Sequence, residues 1–275
     1  MTTPLVEPLP EGLLRRTGRR LRDWIPAVAV LALGIGLWEA IVRAQDVQQV
    51  LLPAPSDIAD TLWTQREALW ASVFFTFREA LGGFAVGCTA AILLALALAR
   101  WPLAGTAILP YAIAANAIPI IAFAPITNKW FDPFGMGPKI AIAAIVCFFP
   151  VLVNTVRGLR SVRPSSVELM RSYAAGDLEV FRRVRIPSAL PFIFTGLKVA
   201  TVLAMIAATV GDYFGTTPES LGIRIRQWQG TAAFVDAWAG IVLASVLGIA
   251  FYGTVAIIER VTMSWHPSIR GTRTR

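Results

Sequence analysis

The sequence is dominated by apolar runs that are long enough to cross a lipid bilayer. A helix needs about 20 mainly apolar residues to span the hydrocarbon core. Such runs recur along the 275 residues, and only 15% of the residues are charged, against about 25% in an ordinary soluble domain. A helix satisfies every backbone polar group within its own segment, as a bilayer requires. The pattern therefore predicts an all-α polytopic membrane protein.

Six apolar segments are predicted to be transmembrane helices. We expect the first of them to stay uncleaved, because it is long and no small-residue cleavage site follows it. In the second, Gly83 and Gly87 have the small-xxx-small spacing that lets helices approach closely. The segments cover about residues 24–41, 73–98, 103–121, 140–154, 191–210 and 235–258.

The spans divide the chain into four predicted regions. A basic N-terminal segment precedes a first span with an interfacial segment, then come the membrane core and a basic tail. The core carries a charged loop at about residues 157–190. The four regions are residues 1–23, 24–70, 71–260 and 261–275.

Basic residues are distributed unevenly between the two sides that six spans create. If both termini lie in the cytoplasm, 17 of the 25 lysines and arginines fall on the cytoplasmic side and 7 on the outer side. Lys198 falls within the fifth span. Cytoplasmic loops carry such an excess of basic residues. The distribution of 17 to 7 therefore predicts that both termini lie in the cytoplasm. It also explains the net charge of +8, so we expect no nucleic-acid partner.

Cysteine and histidine are too few for a metal centre or a histidine-based active site. Cys88 and Cys147 are isolated in apolar runs, and the single histidine, His266, follows the last span. Metal sites need clustered ligands. The G-x-x-x-x-G-K-[ST] loop that cradles ATP phosphates is also missing from the sequence. We therefore expect no metal, no bound cofactor and no ATP hydrolysis by this chain.

One long charged segment lies between the fourth and fifth apolar runs. Residues 168–190, ELMRSYAAGDLEVFRRVRIPSAL, contain four arginines and three acidic residues. The segment could lie on the membrane with its arginines against anionic lipid. Alternatively, it could be the docking surface for a cytoplasmic protein, with Met170, Tyr173 and Phe181 as apolar contacts.

The same segment predicts two short helices with a bend between them. Gly176 is placed to end the first helix, and Asp177 to cap the second. Glu179 falls in the first turn of that second helix. Pro187 and Pro191 are expected to end the unit at the membrane surface.

Several stretches of this chain resemble the permease subunits of bacterial ABC importers, in the binding-protein-dependent type I family. The branch in question imports nitrate, sulfonates, taurine and pyrimidine-type vitamin precursors. The resemblance implies the type I permease fold, with about six transmembrane helices in the bacterial inner membrane. It runs from about Leu52 to Ile225 through LLPAPSDI, FFTFREALGGFAVG, NAIPIIAFAPI, FFPVLVNTVRGLRSV, GDLEVFRRVRIPSALPFIFTGLKVA and ESLGIRI.

In that family the charged loop is a coupling helix that sits in a groove of a separate ATPase subunit. One departure concerns Met170, Arg171 and Ser172, which stand where the branch usually has Glu-Ala-Ala; Glu168 could partly replace the missing glutamate. The coupling residues that the resemblance implies are Glu168, Met170, Arg171, Tyr173, Ala174, Ala175, Gly176, Asp177, Phe181 and Pro187.

The resemblance also implies the partners. Two cytoplasmic ABC ATPase subunits would carry ATP and Mg, and a periplasmic binding protein would deliver a small polar or aromatic nutrient. A second permease copy would complete the pathway, as a homodimer or as a heterodimer with a sister permease, surrounded by membrane lipid. The stretch NAIPIIAFAPI favours pyrimidine or other aromatic vitamin precursors, while nitrate, taurine and sulfonates stay open.

An ion-coupled secondary transporter is the alternative function. Such carriers place ionisable residues within their spans, and the candidates here are Glu39, Arg78, Glu79, Lys198 and Asp212. Each of them could instead anchor a helix at the interface or pair two helices. Both possibilities stay open at this point.

Polar residues inside the apolar runs indicate where a translocation pathway could lie. Polar groups within a membrane are costly and tend to face the protein interior, and a proline frees backbone carbonyls that could meet a substrate. The asparagines could equally bind neighbouring helices. The candidates are Asn116, Pro119, Thr127, Asn128 and Asn154.

Overall fold

A computed structural model describes residues 13–115, 117, 119 and 122–263. Within these residues the secondary structure is helical throughout, as the apolar runs predict. Eleven α-helices and one π-helical turn, Phe181–Arg185, follow each other along the described chain. The helices are α1 Leu13–Ala44, α2 Pro55–Thr64, α3 Arg66–Arg100, α4 Pro102–Ala115, α5 Phe123–Trp130, α6 Gly137–Arg160, α7 Pro164–Ser172, α8 Asp177–Val180, α9 Ile186–Tyr213, α10 Leu221–Gly230 and α11 Phe234–Thr262.

Five helical segments among the described residues are long and apolar enough to cross a membrane. They lie in α1, α3, α6, the continuous helix from α8 to α9, and α11, and they coincide with five of the six predicted spans. The predicted third span is represented by α4, which is described as 14 residues long. At about 1.5 Å per residue it reaches about 21 Å, less than the ~30 Å hydrocarbon core.

The described chain divides into two compact units, which meet between residues 60 and 61. In the first unit, Arg43 holds the turn after α1. Its guanidinium donates to Ser56 Oγ (2.8 Å), Asp57 Oδ1 (2.7 Å) and Glu39 Oε1 (3.1 Å). The backbone N–H of Ser56 donates to the other Glu39 oxygen (3.0 Å). Glu39 is therefore a local anchor, one of the two roles that the sequence left open.

The second unit is built on close contacts of α6 with α3 and α9. Gly83 and Gly87 of α3 face α6, where a Cβ at Gly87 would overlap the carbonyl oxygen of Ala144. Further along α6, Gly196 of α9 lies against Val151. The small residues let the helix backbones come together, as predicted for the spacing of Gly83 and Gly87.

An aromatic group attaches α11 to this core. The ring of Phe251 makes edge contacts with Phe77 and Phe84 of α3, with centroid distances of 5.4 and 5.0 Å. Edge-to-face pairs of this kind add about 0.5–1.5 kcal/mol beyond the buried area. The contact positions α11 beside α3 and α9.

Candidate functional site

The charged loop between α6 and α9 begins with α7 and a tight turn. Ala174 adopts a left-handed conformation with φ of 58°. The N–H of Ala174 donates to the carbonyl oxygen of Arg171 (2.9 Å). The N–H of Ala175 donates to the carbonyl oxygen of Met170 (3.1 Å). These bonds satisfy the last carbonyls of the helix. The helix therefore ends at Ser172 and is closed by the left-handed residue Ala174, so the prediction that Gly176 ends it is wrong.

Gly176 has a different role from the predicted one. With φ of −72° and ψ of 163°, it is the extended residue that precedes α8, and Asp177 is the first helical residue, without a side-chain cap. An N-cap must have non-helical angles, so Asp177 is not the cap. A Cβ at Gly176 would meet no described atom within 4 Å. Neither the backbone nor the packing of the described residues requires glycine there.

The loop enters the membrane without the predicted break. Pro187 lies in the first turn of α9 and Pro191 lies inside that helix. Proline lacks an N–H and crowds the carbonyl four residues earlier. The π-helical turn Phe181–Arg185 widens the spacing just before Pro187, which relieves that crowding. The result is one continuous helix from Asp177 to Tyr213.

Three apolar side chains stand out from this loop. Leu169, Tyr173 and Leu178 are 58%, 76% and 80% exposed, and we call them the loop face. Tyr173 was predicted to be an exposed apolar contact, but the two leucines were missed. Leu178 faces outward because Val180, two residues further along the helix, is buried, and that burial depends on helices distant in sequence.

The other two predicted apolar contacts do not stand out. Met170 is half-buried. Phe181 is half-buried and packs against the core cluster that contains Leu159 and Ala189. Phe181 therefore anchors the loop to the helix core, and its predicted role as an exposed contact is wrong.

Two exposed ion pairs flank the loop face. Arg171 lies 3.7 Å from Asp177, and Arg183 lies 3.2 Å from Glu179. Exposed pairs stabilise a protein by about 0–1 kcal/mol. Glu168 is also exposed. These charges contribute little to the fold and can be reorganised by a partner at small cost.

A groove of about 620 Å³ runs beneath the loop. Leu96 and Ala99, near the end of α3, form one side of it, and Val167 and Phe181 lie on the loop side. Because the loop does not pack fully on α3, it is joined to the core chiefly through Val180, Phe181 and α9.

The candidate pathway residues do not form one compact site. Asn116 lies outside the described residues, and Pro119 lies between α4 and α5 and is not itself helical. Thr127 is buried and donates to a carbonyl of its own helix (3.2 Å), and Asn128 donates to the carbonyl of Phe214 (3.2 Å). Asn154 donates to a carbonyl within α6 (2.8 Å), about 25 Å along that helix from its start.

Lys139 is a buried polar residue whose environment was not predicted. Its side chain is fully buried. The ammonium group donates to the carbonyls of Pro133 (3.0 Å) and Gly135 (3.1 Å) and to Thr217 Oγ1 (2.9 Å). Lys139 thus joins the loop before α6 to the loop after α9.

Four of the five charged residues considered for an ion-coupled carrier have partners or are enclosed, and the fifth is exposed. Lys198 of α9 pairs with Glu259 of α11 at 2.6 Å, so it links two helices. Glu79 and Asp212 are fully buried. Arg78 is exposed. These contacts favour roles in joining helices over roles in ion transport.

Sequence comparison finds relatives over most of the chain. The chain is 32% identical over 234 residues to the formylaminopyrimidine transport permease protein ThiX of Halalkalibacterium halodurans, covering 83% of this chain and 91% of that protein. The riboflavin transport system permease protein RibX of Chloroflexus aurantiacus is 29% identical over 90% of this chain and 92% of its own length. A putative aliphatic sulfonates transport permease protein, SsuC of Escherichia coli, is 27% identical, with coverages of 90% and 95%.

The fold resembles a solved transporter. A chain of the methionine ABC transporter MetNI, in an inward-facing conformation, matches with a TM-score of 0.54 at 18% identity, covering 74% of this chain and 97% of that one. The family described as the inner membrane component of binding-protein-dependent transport systems matches residues 83–263. This chain therefore belongs to that family, as a multi-pass permease subunit of the ABC importer type.

Proposed function

We propose that this chain forms the translocation pathway of an ATP-driven importer and that the loop face receives the ATPase. The observation that carries the proposal is the exposure of Leu169, Tyr173 and Leu178 on a charged loop that continues directly into a core helix. Two ATPase subunits, with ATP and Mg, would supply the energy. A periplasmic binding protein would deliver the substrate.

The loop is built to transmit movement. The helix from Asp177 to Tyr213 has 37 residues, which is about 55 Å at 1.5 Å per residue. Its first residues follow the loop turn, and its later residues pack on α3 and α6. A displacement at the loop face would therefore be passed along one rigid element to the centre of the second unit.

Docking would also bury apolar side chains that the isolated chain exposes to water. Fully burying a leucine side chain contributes about 1.5–3 kcal/mol, and Leu178 is 80% exposed. The open space around Gly176 would admit a partner close to the backbone. Of the coupling residues that the resemblance implies, we retain Glu168, Arg171, Tyr173, Ala174, Ala175, Gly176 and Asp177 as contacts, and we assign Met170, Phe181 and Pro187 to the support of the loop.

The relatives narrow the proposed substrate class without naming one molecule. The names of ThiX, RibX and SsuC refer to a formylaminopyrimidine, riboflavin and sulfonates. We propose a small polar or aromatic nutrient, carried by a dimer of permeases in the bacterial inner membrane with both termini in the cytoplasm. Asn116, Pro119, Thr127, Asn128 and Asn154 remain the proposed pathway residues.

Replacing Leu178 with glutamate tests the docking. We expect detergent-solubilised wild type, expressed with its native partners, to retain the ATPase on an affinity column. The Leu178→Glu variant should retain at least about tenfold less, since a change of ~1.4 kcal/mol in binding is tenfold. The unfolding temperature should not change, because the side chain is exposed.

Leu51→Glu is the matched control, because Leu51 is 75% exposed in the turn between α1 and α2. It should retain the ATPase like wild type. If wild type retains no ATPase, or if Leu178→Glu retains as much as wild type, the loop face is not the docking site. Uptake driven by an ion gradient without ATP would instead support the secondary transporter.

The Gly176→Ala variant separates docking from folding. Its φ of −72° suits alanine, and no described atom lies within 4 Å of the new methyl group, so the variant should fold as wild type does. If a partner approaches the backbone there, the methyl group should reduce ATP-driven uptake several-fold. Normal uptake in proteoliposomes would show that no partner comes close to Gly176.

A further inference from the structure

Two carboxyl groups face each other in the interior of the second unit. Glu79 of α3 and Asp212 of α9 are both fully buried and close enough to interact directly. Thr76 Oγ1 donates to Asp212 Oδ2 (2.6 Å) and itself accepts the N–H of Leu221 (3.0 Å). The polar chain thus runs from the start of α10 through α3 to α9.

Three oxygens of this pair have no donor among the described residues. They are Asp212 Oδ1 and both carboxyl oxygens of Glu79. The hydroxyl of Ser220 donates to the carbonyl of Thr217 (2.8 Å) and lies close enough to Asp212 to interact with it. Buried polar atoms are nearly always hydrogen-bonded, and two facing carboxylates have only acceptors. A proton on one of them would supply the missing donor.

We propose that Glu79 binds this proton and donates a hydrogen bond to Asp212 Oδ1. The surroundings stabilise a negative charge on Asp212 more than on Glu79, because Thr76 donates to Asp212 and the first turn of α10 lies against it. A Cβ at Gly222 in that turn would overlap the Cβ of Asp212. The N-terminus of a helix favours negative charge. Glu79 receives no such donor from the described residues.

The charges of the surrounding helices agree with one bound proton. Lys139 from α6 and Asp212 from α9 are the charged groups that act on Glu79 among the described residues, and the neighbouring Arg78 is exposed. With the proton, one buried anion is opposed by one buried cation. Without it, an extra negative charge would stay uncompensated in the interior, which is strongly unfavourable.

The proton would have a mechanical consequence. It would join Glu79 on α3 to Asp212 on α9, while Thr76 joins both to the start of α10. Loss of the proton would replace a hydrogen bond between α3 and α9 with a repulsion. We therefore infer that the contact between α3 and α9 at this level is weakened at alkaline pH.

Infrared spectroscopy of the purified full-length protein tests the proposal. Wild type at neutral pH should show the C=O stretching band of a protonated carboxylic acid, and this band should shift on exchange into D₂O if the proton exchanges. The Glu79→Gln variant should lose the band completely. The Glu259→Gln variant is the matched control, since Glu259 is a carboxylate paired with Lys198 at 2.6 Å, and it should keep the band.

The unfolding temperature gives a second readout that a purely structural role would not change. The unfolding temperature of wild type should fall from neutral to alkaline pH. In Glu79→Gln it should stay constant, because the amide keeps donating to Asp212. A wild-type spectrum without the band overturns the proposal, as does a band that survives Glu79→Gln. If the band is absent and sodium raises the unfolding temperature more than potassium does, a metal cation occupies the site in place of the proton. If Glu79→Gln fails to fold, the presence or absence of the carboxylic acid band in wild type still tests the proposal.

Discussion

Replacing Gly87 with valine is expected to separate α3 from α6 and to lower the stability of the protein sharply. The new Cβ would overlap the carbonyl oxygen of Ala144 and crowd its carbon and Cα atoms. Overpacking typically costs about 1–3 kcal/mol. The obstacle here is backbone, which cannot rotate away as a side chain can. We therefore expect the variant to lose about 3 kcal/mol of stability or more. The loss should appear as a lower unfolding temperature in detergent, measured by tryptophan fluorescence.

Gly253→Val in α11 is the control for this prediction. A Cβ at Gly253 would meet no described atom within 4 Å, and the two substitutions change helix propensity alike. The control should unfold at the temperature of wild type. Equal losses in both variants would mean that the contact between Gly87 and Ala144 does not hold α3 against α6.

Replacing Lys139 with methionine is expected to have the second large effect. It would leave the carbonyls of Pro133 and Gly135 without their ammonium donor and remove the buried cation near Glu79 and Asp212. Removing one partner from a set of buried opposite charges costs about 3–5 kcal/mol, and Lys139 is the cation that acts on Glu79 among the described residues. The unfolding temperature should fall, and limited proteolysis should cut the loop between α5 and α6 sooner than in wild type.

Lys129→Met is the control, because it removes the same charge from an exposed position of α5. It should change stability by less than about 0.5 kcal/mol, as surface substitutions usually do. If the two methionine variants were equally stable, Lys139 would not be what joins the loops before α6 and after α9.

The sequence predicted the features that depend on local patterns. Long apolar runs predicted the helical membrane fold, and the described helices place five spans where they were expected. The spacing of Gly83 and Gly87 predicted a close helix contact, which α6 provides. The charged loop and its first short helix, α7, were also predicted, because helix propensity acts within a few positions of the chain.

Burial of individual side chains in the loop could not be predicted in the same way. Phe181 and Leu178 are both apolar and three residues apart, yet Phe181 packs on the core while Leu178 is exposed. Which face of a short helix is buried depends on helices distant in sequence. Pro187 was expected to end the unit, but the π-helical turn before it lets the helix continue.

The sequence by itself determined the class of fold, the positions of the apolar spans and the existence of a charged loop between the fourth and fifth of them. These follow from composition and period, since the bilayer imposes the same requirement on every span. The tertiary structure alone decided that Lys139, Glu79 and Asp212 share one buried region. Those residues lie on α3, α6 and α9, and only the packing of the three helices brings their charges together.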